Sequence, residues 1–240
     1  MPGGQYIALS GMRTRLDELD RLASDIANVA TAGYKSERGS NLTADRPVFN
    51  DVLQSAIDVT GGGRRLDSRA GAIDPTGRDL DVAIDGDGFF TVQTAAGPRY
   101  TRNGHFSRSA DGFLTTPDGS KVMGADGPLQ LGAGKMRIDE DGSVMSGDAA
   151  VGRLAVVKFA DPGTLIREGA STLRVADGQV PTPAPQAAIR VGSLEQSNVS
   201  VVERVAELTN ATRNFEALQK ALSLLMNDVT TRAIDVLGKR

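Results

Sequence analysis

The feature that most constrains the fold is a row of apolar residues in the C-terminal segment, Ser197 to Leu237, that recurs at alternating steps of three and four. This is the heptad spacing by which helices pack along a narrow seam, so it predicts one long α-helix. "SVVE", Ser200 to Glu203, has the spacing of a capping box and predicts where this helix begins. The row, here called the C-terminal stripe, consists of Val201, Val205, Leu208, Thr212, Phe215, Gln219, Leu222, Met226, Val229, Ala233 and Val236.

A second row with the same spacing lies near the N-terminus and predicts another two-faced helix. Gly33 in "TAGYK" is predicted to end this helix, because glycine readily takes the left-handed conformation, and Lys35 suits the negative end of a helix dipole. The row, here called the N-terminal stripe, consists of Leu9, Met12, Leu16, Leu19, Ala23, Ile26 and Ala30.

Neither stripe can be buried by its own helix. Burying an aliphatic side chain contributes about 1.5–3 kcal/mol, whereas ordering each residue costs about 1–2 kcal/mol of backbone entropy. Docking of both helices on a β core is the alternative, but turn-rich and proline-rich segments separate them from it. The sequence therefore predicts that the helices pack on each other, on neighbouring subunits, or on both. The predicted interface residues are Leu9, Met12, Leu16, Leu19, Ile26, Val201, Val205, Leu208, Phe215, Leu222, Met226 and Val229.

Between the helices the period changes to two, and short runs such as "GFFTVQT" alternate with Gly, Asp and Pro. The pairs Asp111-Gly112, Asp118-Gly119 and Asn103-Gly104 predict turns between antiparallel strands. The predicted class is α+β, with a central all-β domain and long terminal helices that form a coiled-coil-like inner domain. The predicted parts are an N-terminal helix in 1–35, an extended connector in 36–78, a β-rich outer domain in 79–190 and a C-terminal helix in 191–240.

Composition excludes several kinds of protein. The 240 residues include 27 basic and 30 acidic side chains, with no basic run and no Trp, so no nucleic-acid partner is predicted. No window is apolar enough to span a membrane, and the N-terminus lacks the pattern of a signal peptide. The chain has no cysteine, which excludes disulfides and thiol chemistry.

No residue pattern predicts catalysis or metal binding. The single histidine, His105, alternates with strand-like neighbours in "RNGHFS" and is interpreted as structural. Counted from Asp85, the positions at which an EF-hand loop needs an oxygen ligand and a glutamate are Phe89 and Ala96. The Asp-rich runs are therefore interpreted as turns, and no enzyme activity, cofactor or metal is predicted.

Three motifs, in order along the chain, carry a family resemblance. "ASDIANVATAGYKS", "LDVAIDGDGFFTVQTAAGPRYTRNGHFSRSADGFLTTPDG" and "GSLEQSNVSVVERVAELTNATRNFEALQK" resemble the N-terminal, central and C-terminal motifs of flagellar rod and hook proteins. The length, "LDVAI" and "AVGRLAVVKFADPG" favour the proximal rod subtype. Asp25 departs from the pattern, because the family usually has Asn there.

The resemblance implies a structural subunit of the bacterial flagellar rod, in which terminal helices form an inner tube and the β domain lies outside. It implies partners among other rod proteins and copies of the same chain, and torque transmission through the periplasm. It also implies export by the flagellar type III apparatus without a cleaved signal peptide, and it brings no catalytic residues. The alternatives are a distal rod or hook protein, a phage-tail or surface-fibre protein with coiled-coil ends, and an all-β hydrolase.

Overall fold

A computed structural model describes residues 2–39, 64–132, 134–176 and 178–237, and in the terminal helices it describes the side chains of 11–27 and 201–224. The chain divides into two compact units. The helical unit contains the chain up to Ile26 and from Ser200 onward, and the β unit contains Ala27–Arg38 and Arg64–Val199. Neither described helix is long and apolar enough to cross a membrane.

The first helix, α1, spans Pro2–Ala27 and ends six residues before the predicted stop at Gly33. The chain turns after Ala27, and the Thr31 N–H donates to the Asn28 carbonyl at 3.1 Å. Gly33 does have a left-handed φ of 67°. A Cβ at this position would lie 2.3 Å from the backbone carbon of Arg102. Glycine is therefore required here for both its φ and its close approach to another segment, and not as a helix cap.

The second helix, α2, spans Val201–Leu237 and begins where the sequence predicts. The Glu203 N–H donates to the Ser200 hydroxyl at 3.5 Å, and the Arg204 N–H donates to the Ser200 carbonyl at 3.0 Å. Ser200 thus satisfies a backbone donor that the first turn of a helix leaves without a partner. The predicted start of this helix is confirmed.

Short strands fill the chain between the helices. In chain order they are β1 Glu37–Gly39, β2 Arg64–Leu66, β3 Ile73–Pro75, β4 Val82–Asp85, β5 Phe89–Thr94, β6 Gly97–Thr101, β7 Ser107–Arg108, β8 Leu114–Thr115, β9 Lys121–Gly124, β10 Gly127–Pro128, β11 Met136–Ile138, β12 Ser143–Ser146, β13 Ala149–Arg153, β14 Val156–Lys158, β15 Ile166–Arg167, β16 Thr172–Arg174, β17 Thr182–Pro183, β18 Ala188–Val191 and β19 Ser193–Glu195. A short 3-10 helix spans Pro162–Thr164. The order of helix, strands and helix is the α+β arrangement that the sequence predicts.

The largest sheet has the strand order β15-β16-β6-β5-β9-β8-β7, and β14, β17 and β10 attach to it through β5, β14 and β9. Strands β11, β12 and β13 form a separate sheet. The described registers, such as Phe90 opposite Thr101 in β5 and β6, are antiparallel. This agrees with the antiparallel β domain predicted from the short, evenly spaced runs.

The last two strands of the β unit pair with two of its early strands. Strand β18 pairs with β4, with Ile189 opposite Ile84, and β19 pairs with β3, with Leu194 opposite Asp74. Strands β1, β2 and β3 all lie within 36–78, for which the sequence predicts an extended connector. The start and the end of the β unit are therefore held together by strand pairing.

Two apolar clusters form the core of the β unit. Successive side chains of a strand point to opposite faces, so the neighbours Phe89 and Phe90 enter different clusters. Phe90 packs edge-on against Phe106 with ring centroids 5.3 Å apart. Phe89 packs in the same way against Phe159 at 5.8 Å.

The predicted turns differ in outcome. Gly112 and Gly119 each have a φ of 82°, as their Asp-Gly turns require. Gly104 has no left-handed φ, and a Cβ there would lie 1.8 Å from the Val82 carbonyl oxygen. Asn103-Gly104 is therefore not a hairpin turn, and its glycine allows close approach to β4.

Candidate assembly interface

The described members of the C-terminal stripe are partly half-buried and partly exposed. Leu208, Phe215 and Leu222 are half-buried, whereas Val201, seven residues before Leu208 in the first turn of the helix, is exposed. Val201 is 44% exposed and Val205 is 46% exposed. The two polar members of the stripe, at positions 212 and 219, are exposed as well.

The N-terminal stripe is divided in the same way. Met12, Leu19 and Ile26, again at intervals of seven, are half-buried, whereas Leu16 is 47% exposed. Leu16, Val201 and Val205 are the exposed large apolar residues in the described parts of the two stripes, and we call these three the exposed edge. Three predicted interface residues lie on the helices where no side chain is described: Leu9, Met226 and Val229.

The most buried helix positions belong to neither stripe. Leu22, Asp25 and Ala211 are at most 3% exposed. On each helix the least exposed of the described positions lie to one side of the predicted stripe. The buried positions are therefore displaced from the rows that the periodicity predicts.

Among the side chains that the structure describes, an ion pair joins the two helices of the helical unit. The Asp25 carboxylate is 1% exposed, and its Oδ2 lies 3.3 Å from Arg204 Nε on α2 and 3.9 Å from Arg21 on α1. Asp25 is also the residue at which the N-terminal motif departs from the resemblance described in the sequence analysis. A carboxylate at this position gives a charged partner to Arg204, which an amide would not provide.

A cluster of buried charged side chains lies in the β unit. One member, Lys35, follows α1 in the sequence, and another, Glu195, precedes α2. The Lys35 ammonium donates to Glu195 Oε1, and Arg102 Nη1 lies 3.2 Å from Glu195 Oε2. The three side chains are at most 4% exposed. Burial lowers the pKa of Lys35, and the neighbouring Glu195 opposes that shift. The sequence predicts that Lys35 lies at the negative end of a helix dipole, and this prediction is wrong. Lys35 instead forms a buried ion pair with Glu195, which lies near the end of the β unit.

Asp67 lies beside this cluster and gives the β unit an acid-sensitive contact. Burial works to raise the pKa of Asp67, but hydrogen bonds from Arg69 and the charge of Arg38 together lower it below the usual value. Arg69 Nη2 donates to Asp67 Oδ2 at 2.8 Å, and Arg38 Nε donates to the same oxygen at 3.0 Å.

The lowered pKa of Asp67 predicts a pH dependence. The ionised Asp67 carboxylate contributes to the free energy of unfolding above its unfolded-state pKa, about 3.9. This contribution is lost as pH falls through the lower folded-state pKa. At pH values below about 4 we expect the free energy of unfolding to decrease, and to decrease less in Asp67→Asn than in the unchanged protein. Urea unfolding at pH 7, 4 and 3 measures both proteins. The same loss in both would contradict a contribution from Asp67.

His105 lies beside a buried carboxylate of the β unit. Its Nδ1 lies 2.9 Å from Oδ1 of Asp81, a carboxylate that is 1% exposed, and Arg78 lies 3.4 Å from the same oxygen. Asp79 and Asp85 pair with other basic residues, Lys135 and Arg190. Within the described ranges, no three His, Asp or Glu side chains are grouped so that they could hold a metal ion.

Removal of His105 should cost more than removal of a surface charge. His105→Ala removes the nearer of the two basic side chains that lie beside the buried Asp81 Oδ1, so we expect a loss of about 1–3 kcal/mol in the free energy of unfolding. Asp85→Asn breaks an exposed pair with Arg190 and should cost less than about 1 kcal/mol. Urea denaturation measures both, and equal losses would exclude a special role for His105.

Comparison with known proteins follows the same division of the chain. Residues 83–146 match the family model "Flagellar hook protein FlgE/F/G D1 domain", and residues 190–224 match "Flagellar basal body rod FlgEFG protein C-terminal". The chain is 32% identical over its full length to the flagellar basal-body rod protein FlgF of Caulobacter vibrioides, of which it covers 99%. It is 32% identical to FlgF of Escherichia coli, over 91% of this chain and 92% of that protein. It is also 31% identical to FlgG of Bacillus subtilis, over 91% of this chain and 93% of that protein.

Proposed function

The chain belongs to the family of flagellar basal-body rod proteins and is most like its FlgF members, and from this premise we propose how it acts as a structural subunit of the rod. Its terminal helices form a coiled-coil-like inner domain that packs against neighbouring subunits, both copies of this chain and other rod proteins. The subunit belongs to the proximal rod. It passes torque along the rod through the periplasm, after delivery by the flagellar type III export apparatus.

The observation that carries this proposal is the exposed edge of the two helices. Leu16, Val201 and Val205 are each more than 40% exposed, although they lie in the same rows as the half-buried residues Met12, Leu19, Ile26, Leu208, Phe215 and Leu222. When another molecule covers apolar surface, association is favoured by about 25 cal/mol for each Å² of that surface removed from water. Neighbouring rod subunits are the partner that fits, because members of the family assemble into one axial structure.

The absence of native cysteine permits a direct test by thiol labelling. We would introduce Val205→Cys on the exposed edge and, as a control, Asp126→Cys at an exposed position of the β unit. Both should react with a maleimide in the monomer. In purified basal bodies Val205→Cys should be protected while Asp126→Cys still reacts. Equal reactivity of Val205→Cys in the monomer and in basal bodies would exclude the exposed edge from the interface.

Limited proteolysis of the monomer gives a further prediction. Of the described helix side chains, only Leu22 and Ala211 are buried and apolar, whereas the β unit contains two apolar clusters. We therefore expect cleavage within 1–35 and 198–240 before cleavage within 79–190. If the terminal segments of the monomer resist proteolysis as well as the β unit does, the helices are stable without neighbouring subunits, which would contradict this prediction.

A rod subunit of the FlgG type is the second candidate, favoured by the 31% identity to the Bacillus subtilis protein. The two candidates differ in which missing protein the chain can replace. Expression in strains that lack FlgF or FlgG distinguishes them by recovery of swimming. Recovery only in the strain that lacks FlgG would overturn the FlgF-type assignment.

A further inference from the structure

The segments at which the β unit begins and ends lie close together. Along the chain this unit is bounded by Ala27, Arg38, Arg64 and Val199. Within it, strand β1 pairs with β2, and the Asp67 N–H donates to the Ser36 carbonyl at 2.8 Å. The two parts of the β unit on either side of residues 40–63 are thus connected directly.

Asn198, three residues before α2, binds both of these parts through its side chain. Its Oδ1 accepts from the Ser36 N–H at 2.8 Å. Its Nδ2 donates to the carbonyl oxygens of Asp67 at 2.9 Å and Arg69 at 3.2 Å. The orientation of the amide is fixed, because only its oxygen can accept from an N–H and only its nitrogen can donate to carbonyls. One side chain therefore connects the segment after α1, the segment after β2 and the segment before α2.

Glu195 binds the same segments. Its backbone carbonyl accepts from the Gly33 N–H at 2.7 Å, and its Oε1 accepts from the Gly71 N–H at 3.0 Å. The same Oε1 accepts from Lys35, whose ammonium also donates to the Arg69 carbonyl at 2.8 Å. We call Lys35, Glu195 and Asn198 the junction.

The ion pair and hydrogen bonds of the junction are not needed for the stability of a β unit alone. Buried ion pairs can often be replaced by apolar side chains without loss of stability, because desolvation offsets most of their attraction. Hydrogen bonds and charges do fix direction and register, since each donor needs its acceptor in one place. The β unit also has apolar clusters of its own, to which the junction residues do not belong.

We propose that the junction holds the entry and exit segments of the β unit at fixed positions, so that force applied through either terminal helix reaches the β unit as one body. This inference rests on the proposed function, in which neighbouring subunits pack on the helices. Asn198 is a positioning residue in this scheme.

Amide hydrogen exchange of the full-length monomer tests the junction itself. Asn198→Ala should speed exchange of the Ser36 and Asp67 amides about tenfold, and leave the Thr91 amide of β5 unchanged. Asn198→Asp keeps an acceptor for Ser36 but loses both donors, so only the segment around Asp67 should exchange faster. Gln179→Ala, a control that removes an amide donating to the Asp161 carbonyl, should change neither amide. Unchanged exchange at Ser36 and Asp67, or equal acceleration at Thr91, would overturn the junction.

Swimming under load tests its mechanical role. In cells that lack the native protein, Asn198→Ala should enter purified basal bodies as well as Gln179→Ala does, yet lose most of its swimming speed in viscous medium. Equal speeds for the two variants at every viscosity would overturn the mechanical role. Failure of the proposed helix packing would be seen separately, as a reactive Val205→Cys in basal bodies.

Discussion

Phe215→Asp abolishes rod assembly while the β unit stays folded; this is the largest functional effect we expect. Phe215 is a half-buried residue of the C-terminal stripe on α2. A carboxylate there must lose its water when a neighbouring subunit covers the helix, which costs several kcal/mol unless it finds a partner. Swimming of a strain that lacks the native protein measures the effect.

Arg213→Gln is the matched control for Phe215→Asp. Arg213 is exposed on the same helix, so removal of its charge should cost less than about 1 kcal/mol and leave swimming largely intact. Proteolysis of each purified variant checks that residues 79–190 remain resistant. Normal swimming by Phe215→Asp would remove the main support for assembly through α2.

Glu195→Ala should cause the largest loss of stability. The substitution leaves the ammonium of Lys35 and the guanidinium of Arg102 buried beside each other without their shared carboxylate. Removal of one partner from a buried pair costs about 3–5 kcal/mol, a large part of the about 5–15 kcal/mol that stabilises an ordinary domain. Urea unfolding of the β unit measures the loss.

Glu168→Ala is the control for this prediction, because Glu168, like Glu195, pairs with two basic residues, here Arg99 and Arg174, but is 37% exposed. It should cost no more than about 1 kcal/mol. Adding Lys35→Met to Glu195→Ala removes one uncompensated charge and should recover part of the loss. Equal losses for Glu195→Ala and Glu168→Ala, or no recovery, would contradict the importance of buried charge.

The pH dependence of Glu195→Ala provides an independent check. Burial lowers the folded-state pKa of Lys35, and Glu195 is the neighbour that most strongly opposes this. A buried cation with a lowered pKa opposes folding while it is protonated, so loss of its proton restores stability. The deficit of Glu195→Ala should therefore shrink as pH rises toward about 10. A deficit that is constant with pH would assign the loss to packing alone.

The sequence by itself determined the features that depend on neighbouring residues. The start of α2 at Ser200, the turns at Gly112 and Gly119 and the strand-rich region between two helices all follow from local patterns. These patterns are readable because capping, positive φ and the alternation of side chains act over a few residues. The three family motifs are likewise read from the sequence alone.

Only the tertiary structure decided which side of each helix is buried, where α1 ends and what Lys35 contacts. The heptad rows define an apolar sector, but burial of Leu22 and Ala211, with Leu16 and Val205 left exposed, depends on how elements distant in the chain pack. Lys35 and Glu195 are 160 residues apart in the sequence, so no local pattern pairs them. Periodicity encodes the shape of one element, whereas a long-range contact exists only after the whole chain has fixed both partners in space.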